Sequence, residues 1–396
     1  MNATSDTKKQ TLIVSVLVLI ALGLLYLIYV LPTWWVSLTA PNYPKEAFPD
    51  GVRIEFHMNG VFNGCKKVAK KEISESVALD CVHEMDTINH YVGMYPIAAG
   101  GPIERGFSQF LVAFLGVMLL GFMCTRPKIR MAILTLGFAG IAVWMYLTLY
   151  GENGFELENE GYVKALVTSL DQEASGEAKE GSSGGGIVEM LRESLEKSGV
   201  EIKMPEELKK EEEAKARMSE KEKLIEQLRQ TYERDLRKGL VSEPWNGSTF
   251  QVMAWHYGKS LGRYFNNQKE IRPMVKKLKI AINVVFWGLI AAMALLIWGA
   301  RRNGGLLYWL LVLVPMALPV FFVIDYSAWL WWYGHTLNSM GAFSVKPFMP
   351  TVFGDGKVAQ FATHSYPDKG FFVMLAFSVV LAFAALIRRK QFRASS

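Results

Sequence analysis

Charge is scarce in this chain. Asp, Glu, Lys and Arg make up 20% of its 396 residues, against about 25% in an ordinary soluble protein. Apolar residues make up 51%, and they gather in long runs separated by polar stretches. That patterning excludes a disordered chain and a single soluble domain. Cysteine is scarcer still, with only Cys65, Cys81 and Cys124. No Cys-x-x-Cys-His occurs, which excludes covalently attached c-type haem. None of the six histidines (His57, His83, His90, His256, His335 and His364) falls in an apolar run, so a haem held by two intramembrane histidines is not expected. Ionisable side chains are nearly missing from the runs, which argues against a proton- or ion-coupled pump. There is no Gly-x-x-x-x-Gly-Lys-Ser/Thr loop, no Gly-x-Ser-x-Gly elbow and no His-Glu-x-x-His pair. No nucleotide is expected, and no motif marks the chain as an enzyme.

What is present is a set of apolar runs of bilayer length, about 20 residues each. They are Thr11–Leu31, Gly106–Cys124, Met131–Tyr150, Lys279–Ala300, Gly305–Ile324 and Gly370–Ile387. The expected fold class is a mainly α polytopic membrane protein with six transmembrane helices. Pro315 and Pro319 predict a kink in the fifth. The first run is longer than a signal-peptide core and is followed by Pro-Thr-Trp-Trp rather than a small-residue cleavage site, so it reads as a retained helix.

Positive charge alternates along the flanks. Lys8 and Lys9 precede the first run, Arg126, Lys128 and Arg130 fill the second turn, Arg301 and Arg302 the fourth, and Arg388, Arg389, Lys390 and Arg393 follow the last. These flanks hold eleven of the 43 basic residues, leaving 32 against 36 acids elsewhere. The net charge of +6 is therefore a topology signal, with both termini cytoplasmic. It is not the basic patch of a nucleic-acid binder. The expected organisation is residues 1–31 (tail and first span), 32–105 (outer domain with strands), 106–150 (hairpin of spans), 151–278 (outer charged helical region), 279–324 (hairpin of spans), 325–369 (outer aromatic and His/Met loop) and 370–396 (last span and basic tail). The setting is a bacterial inner membrane with the large loops in the periplasm.

In the first outer region the paired tryptophans of Pro32-Thr-Trp-Trp suit an interfacial belt. Val52, Ile54, Phe56 and Met58 alternate with polar residues as a strand does, and Asn59-Gly60 signals a turn. In the second, residues 172–186 read as a Gly/Ser-rich linker. Residues 205–238 are almost all helix formers, with a loose apolar stripe at Ile225, Leu228, Tyr232 and Leu236. That stripe is either one face of a solvated helix or a docking arm for a protein partner. In the third, Asp325-Tyr-Ser-Ala-Trp-Leu-Trp-Trp-Tyr is an interface belt or a pocket wall.

Candidate chemistry sits around the cysteines. Cys65 and Cys81 share the first outer region, and in an oxidising compartment a disulfide is the expected state; a pair of thiolate metal ligands is the alternative. Soft donors cluster nearby, in Cys81-Val-His83-Glu-Met85 and Ile88-Asn-His90-Tyr-Val-Gly-Met94. Imidazole and thioether together suit copper, although methionine is also ordinary core filler. His90-Tyr91, His256-Tyr257-Gly258 and Tyr333-Gly334-His335 repeat one composition in each outer region, so the three could meet in one site. The candidate metal ligands are His90 and Met94, then His83, Met85, His335 and Met340, with Asn89 and Tyr91 orienting His90.

Leu31-Pro-Thr-Trp-Trp-Val-Ser-Leu-Thr-Ala-Pro-Asn-Tyr-Pro44, Ile88-Asn-His-Tyr-Val-Gly-Met94, Tyr333-Gly-His-Thr-Leu-Asn-Ser-Met340, Phe348-Met-Pro-Thr-Val-Phe-Gly354 and Ser365-Tyr-Pro-Asp-Lys-Gly370 resemble hallmarks of a family of bacterial polytopic membrane proteins. Its members are often encoded near nitrous oxide reductase and its copper-handling accessory proteins. The chain departs from that pattern at Thr336-Leu-Asn-Ser339, where the family has Asn-Leu-Asp-Pro, and in a larger charged region over 151–250. The resemblance implies an accessory role around a copper enzyme: copper handling, maturation or anchoring. A non-catalytic structural subunit of a larger membrane respiratory or oxygenase complex is the alternative.

Overall fold

The computed structural model describes residues 2–66, 68–69, 76–77, 79–177, 218–343, 345–358 and 360–395. Its helices are α1 (Asn2–Val30), α2 (Cys81–Tyr91), α3 (Pro102–Met123), α4 (Pro127–Tyr150), α5 (Glu160–Glu177), α6 (Glu220–Arg237), α7 (Thr249–Gly262), α8 (Gln268–Gly299), α9 (Leu306–Met316), α10 (Leu318–His335) and α11 (Lys369–Ser395). Its strands are β1 (Trp34–Thr39), β2 (Val52–His57), β3 (Gly60–Asn63), β4 (Val68–Ala69), β5 (Ser76–Val77), β6 (Gly354–Val358) and β7 (Phe361–Pro367).

Five helices, α1, α3, α4, α8 and α11, are long and apolar enough to cross a membrane. Helix is the expected form of such segments, because it pairs every backbone group internally where no water can do so. Their outward faces stay apolar, as at Leu136, Trp287 and Phe383. The expectation of six continuous spans is corrected at the fifth. Helices α9 and α10 meet at a 62° bend, so the count is six only if this bent pair is one broken span. Pro319 has no N–H to give the Pro315 carbonyl, and its ring crowds that position. The ladder therefore stops at Ala317, which caps one helix and starts the next. The aromatic run from Asp325 to Tyr333 lies on α10 and does not open a loop.

At one end of the apolar helices stands a five-stranded antiparallel sheet in the order β3-β2-β1-β7-β6. Strand β1, the stretch directly after the first span, is central. Trp34 is opposite Phe56 of β2 on one side and Pro367 of β7 on the other. The first and last polar regions therefore share one sheet. The reading of Trp34 as an interfacial anchor is corrected. Its ring is 4% exposed, its Nε1 donates to Ser365 Oγ at 2.9 Å, and it packs on Tyr326 and Phe371 with ring centroids 5.4 Å away. Trp35, on the opposite face of the strand, lies under the Arg53 guanidinium at 4.5 Å.

Helices α5, α6 and α7 form a second core around Tyr162, Leu166, Leu228, Tyr232 and Trp255. Ser219 and Glu222 close a reciprocal cap at the start of α6. Helix α5 runs to Glu177, into the stretch expected to be linker; residues 178–186 of that linker and 205–217 of the helix-former-rich stretch lie outside the described residues. At the far end of the apolar helices two flanking arginines are buried. Arg130 Nε donates to the Ala300 carbonyl at 2.7 Å and Arg388 donates to the Met123 carbonyl at 2.8 Å. Each satisfies a carbonyl at a helix C-terminus, where cations are favoured.

Candidate functional site

The candidate ligands centre on α2. Its start is fixed twice, by the Cys65–Cys81 disulfide, which spans a Cα–Cα distance of 6.0 Å, and by the Asp80 carboxylate, which accepts from the His83 amide at 3.0 Å. One face of the helix, with Cys81, Met85, Asp86 and Ile88, is buried. Asp86 accepts from the Ile97 amide at 2.5 Å, and burial pushes its carboxyl up to about 7.

His83 and His90 come together on one ring. Both stack on Tyr264, with centroids 6.3 and 5.0 Å away, and Phe265 closes on His90 at 4.8 Å. His83 Nδ1 faces the Arg263 guanidinium at 3.1 Å and the Tyr264 hydroxyl at 3.2 Å. Burial, then the Arg263 charge, holds this imidazole below its usual range. The Nδ1 lone pair that a metal would need faces the Arg263 guanidinium, which can only donate. His90 Nδ1 is buried without a hydrogen-bond partner among the described residues.

The other candidate ligands lie in different settings. Met85 and Met94 are buried in the main apolar core. Met340 is 63% exposed, and His335 bonds the Trp331 carbonyl at 2.8 Å while stacking on its ring. Asn89 contributes its backbone carbonyl to the turn that follows α2, and Tyr91 lies half exposed beside His90. Among the described residues no group of three or more His, Cys, Asp or Glu could hold a metal ion.

The polar regions do converge, and the first and third histidine motifs take part: Gly93 follows His90-Tyr91, and Asn338 follows Tyr333-Gly334-His335. His256 sits in the α5–α7 core, bonded to Ser169 Oγ at 2.8 Å and to the Leu166 carbonyl at 3.0 Å. Burial, then the Arg105 charge, drives its imidazole down to about 3, so it stays neutral. The meeting point is Gly93, Asn338 and Glu270. The Asn338 amide donates to the Gly93 carbonyl at 2.8 Å and the Phe343 amide to the Tyr91 carbonyl at 2.9 Å. Asn338 Nδ2 and the Tyr95 hydroxyl then share Glu270 Oε2 at 2.9 and 3.0 Å. Gly93 is required there: its φ is +86°, and a Cβ would lie 2.7 Å from the Asn338 carbonyl. Sequence reasoning did not single out Glu270 or Tyr95, and it met Asn338 only within the stretch Tyr333–Met340, without a role. One signal was present, Asn267-x-x-Glu270, the spacing of a helix cap; Asn267 indeed caps α8 and donates to Glu270 Oε1 at 2.9 Å.

The stripe on α6 is corrected as a docking arm. Leu228 and Tyr232 are each 2% exposed and Ile225 packs beside them against α5, while Leu236 is half-buried. The partner of this face is the chain itself. Exposed apolar side chains gather elsewhere, at the weld: Tyr91, Met340 and Phe343 are 48%, 63% and 60% exposed, with the Tyr91 and Phe343 rings 6.4 Å apart. No family model, no curated protein and no solved structure matches this chain.

Proposed function

We propose that the chain is a non-catalytic accessory protein of a bacterial inner membrane. Its polar body is a preassembled platform that holds a protein partner on the periplasmic side. The observation that supports this reading is the tip formed by Tyr91, Met340 and Phe343. Aromatic and methionine side chains are enriched where proteins bind one another, and these sit on a rigid turn, welded through Gly93, Asn338 and Glu270. Ordering costs on binding are then low. The alternating basic flanks support the orientation.

The test compares tagged wild type with a Tyr91→Ala/Met340→Ala/Phe343→Ala variant, solubilised from native membranes. The wild type should migrate with a stoichiometric second subunit. The variant should migrate alone, with its melting temperature unchanged. Equal migration of the two would sink the platform reading.

Copper handling is the second reading, supported by the buried, unpartnered Nδ1 of His90 and by the resemblance carried by Asn89-His-Tyr-Val-Gly-Met94. Under it, anaerobic addition of Cu(I) loads the wild type to near stoichiometry, and His90→Ala loses that copper without losing its fold. Copper retained equally by both would remove His90 as a ligand.

A further inference from the structure

A cavity of about 370 Å³ lies where the sheet meets the spans, within the range of small-molecule sites. Its roof is the β2–β3 hairpin, with Phe56, His57 and Val61. Its lower wall comes from membrane-crossing helices, with Leu111 of α3, Val285 and Leu289 of α8 and Met374 of α11. The side wall is α10, the segment turned by the 62° bend. A ligand would therefore come from the bilayer, tail downward among aliphatic side chains. The upper part is aromatic, with Phe107, Phe322 and Trp329 around it, which suits a flat ring.

Its polar groups are few and unbalanced. Glu104 and Asp325 both line the cavity. Glu104 Oε1 accepts from Trp329 Nε1 at 3.1 Å, and the Asp325 carboxyl lies beside that of Glu104. The lining cation, Arg105, gives its Nε to the Gly101 carbonyl at 3.2 Å. The two neighbouring carboxyls offer acceptor oxygens to the cavity, so the matching head group is one that donates hydrogen bonds to them. A phospholipid head would set its phosphate against two carboxyls in an apolar chamber, at a large desolvation cost. A neutral ring bearing hydroxyls avoids that cost. His57, held below its usual range first by burial, offers a neutral imidazole to a second hydroxyl.

We propose that this cavity binds a membrane-soluble isoprenoid hydroquinone, its ring between the aromatic side chains and a hydroxyl donating to the Glu104/Asp325 pair. The experiment uses the full chain in phosphatidylcholine nanodiscs, kept reduced, with a decyl-substituted benzohydroquinone as probe and its dimethyl ether as control. Hydroquinone should bind saturably at one per chain. The ether, which has no donor, should bind about tenfold more weakly or worse, as expected for loss of a hydrogen bond to a charged acceptor. Leu289→Trp should fill the tail channel and abolish binding. Should that variant not fold, Asp325→Leu carries the test, and should bring the hydroquinone down to the level of the ether. Equal affinity for hydroquinone and ether overturns the proposal. So does uptake that Leu289→Trp or Asp325→Leu leaves unchanged, or a stoichiometric copurified phospholipid that the hydroquinone does not displace.

Discussion

Asp86 shows how one buried group ties stability to pH. A free aspartate titrates near 4, whereas burial holds this one up at about 7. Between those values the folded chain keeps a proton that the unfolded chain has lost. Stability contributed by the neutral carboxyl is fully present below about pH 4 and is lost as pH rises through 7. Glu158, raised to about 8 by burial, works in the same direction. Thermal melting in detergent should fall from pH 5 to pH 8. Asp86→Asn should flatten part of that fall, leaving the variant more stable than wild type at pH 8 by about 1–2 kcal/mol, within what a shifted titration supplies. A slope identical in both proteins would show that Asp86 does not carry it. The buried arginines make a different point at the same scale. Arg130 and Arg388 were legible as topology signals, since flanking charge is a local property. That they are buried against the carbonyls of Ala300 and Met123 depends on helix ends far away in the chain.

Among the elements, α6 shows the limit of periodicity. Its stripe was visible because residues three and four apart share a helix face. An apolar stripe says that a face is covered, not by what. Here the cover is α5, brought close by α7, and the ties continue through Trp255 Nε1 to Asp235 at 2.9 Å and Lys259 to the same carboxylate at 3.2 Å. Leu228→Ala should destabilise this body by about 2–4 kcal/mol, the usual range for truncating a buried leucine. Hydrogen exchange should then speed up across Glu220–Arg237 while the protection of α3 and α4 holds. Unchanged exchange in α6 would mean that its stripe is open surface after all, and would restore it as a docking face. The broken pair α9–α10 follows the same logic. Two prolines four residues apart announced a kink, but the 62° angle and the onward run of helix to His335 required the packing of Trp34, Phe322 and Tyr326.

For the whole molecule, the arrangement of spans predicts an accessibility pattern. In a Cys124→Ser background, Leu240→Cys on the polar body should react with a membrane-impermeant thiol reagent in intact cells. Arg302→Cys, in the short turn between α8 and α9, should react only after permeabilisation. The reverse pattern would invert the orientation and place the Tyr91/Met340/Phe343 tip in the cytoplasm.

Helix ends were not legible, since α1 begins at Asn2, α8 at Gln268 and the fifth run is broken and continues to His335. The existence of the apolar runs, the strand over residues 52–57 and a disulfide as the expected state of Cys65 and Cys81 were readable from the sequence alone. Each rests on short-range physics: bilayer length, a two-residue alternation, or two thiols in one small region. The tertiary structure alone decided that β1 and β7 are neighbours, that Trp34 is core, and that Gly93, Asn338 and Glu270 are one joint. No period in the chain encodes contacts between residues so far apart. They follow from how the helix ends are brought together, and each joint is held by buried polar groups that must find partners wherever the fold supplies them.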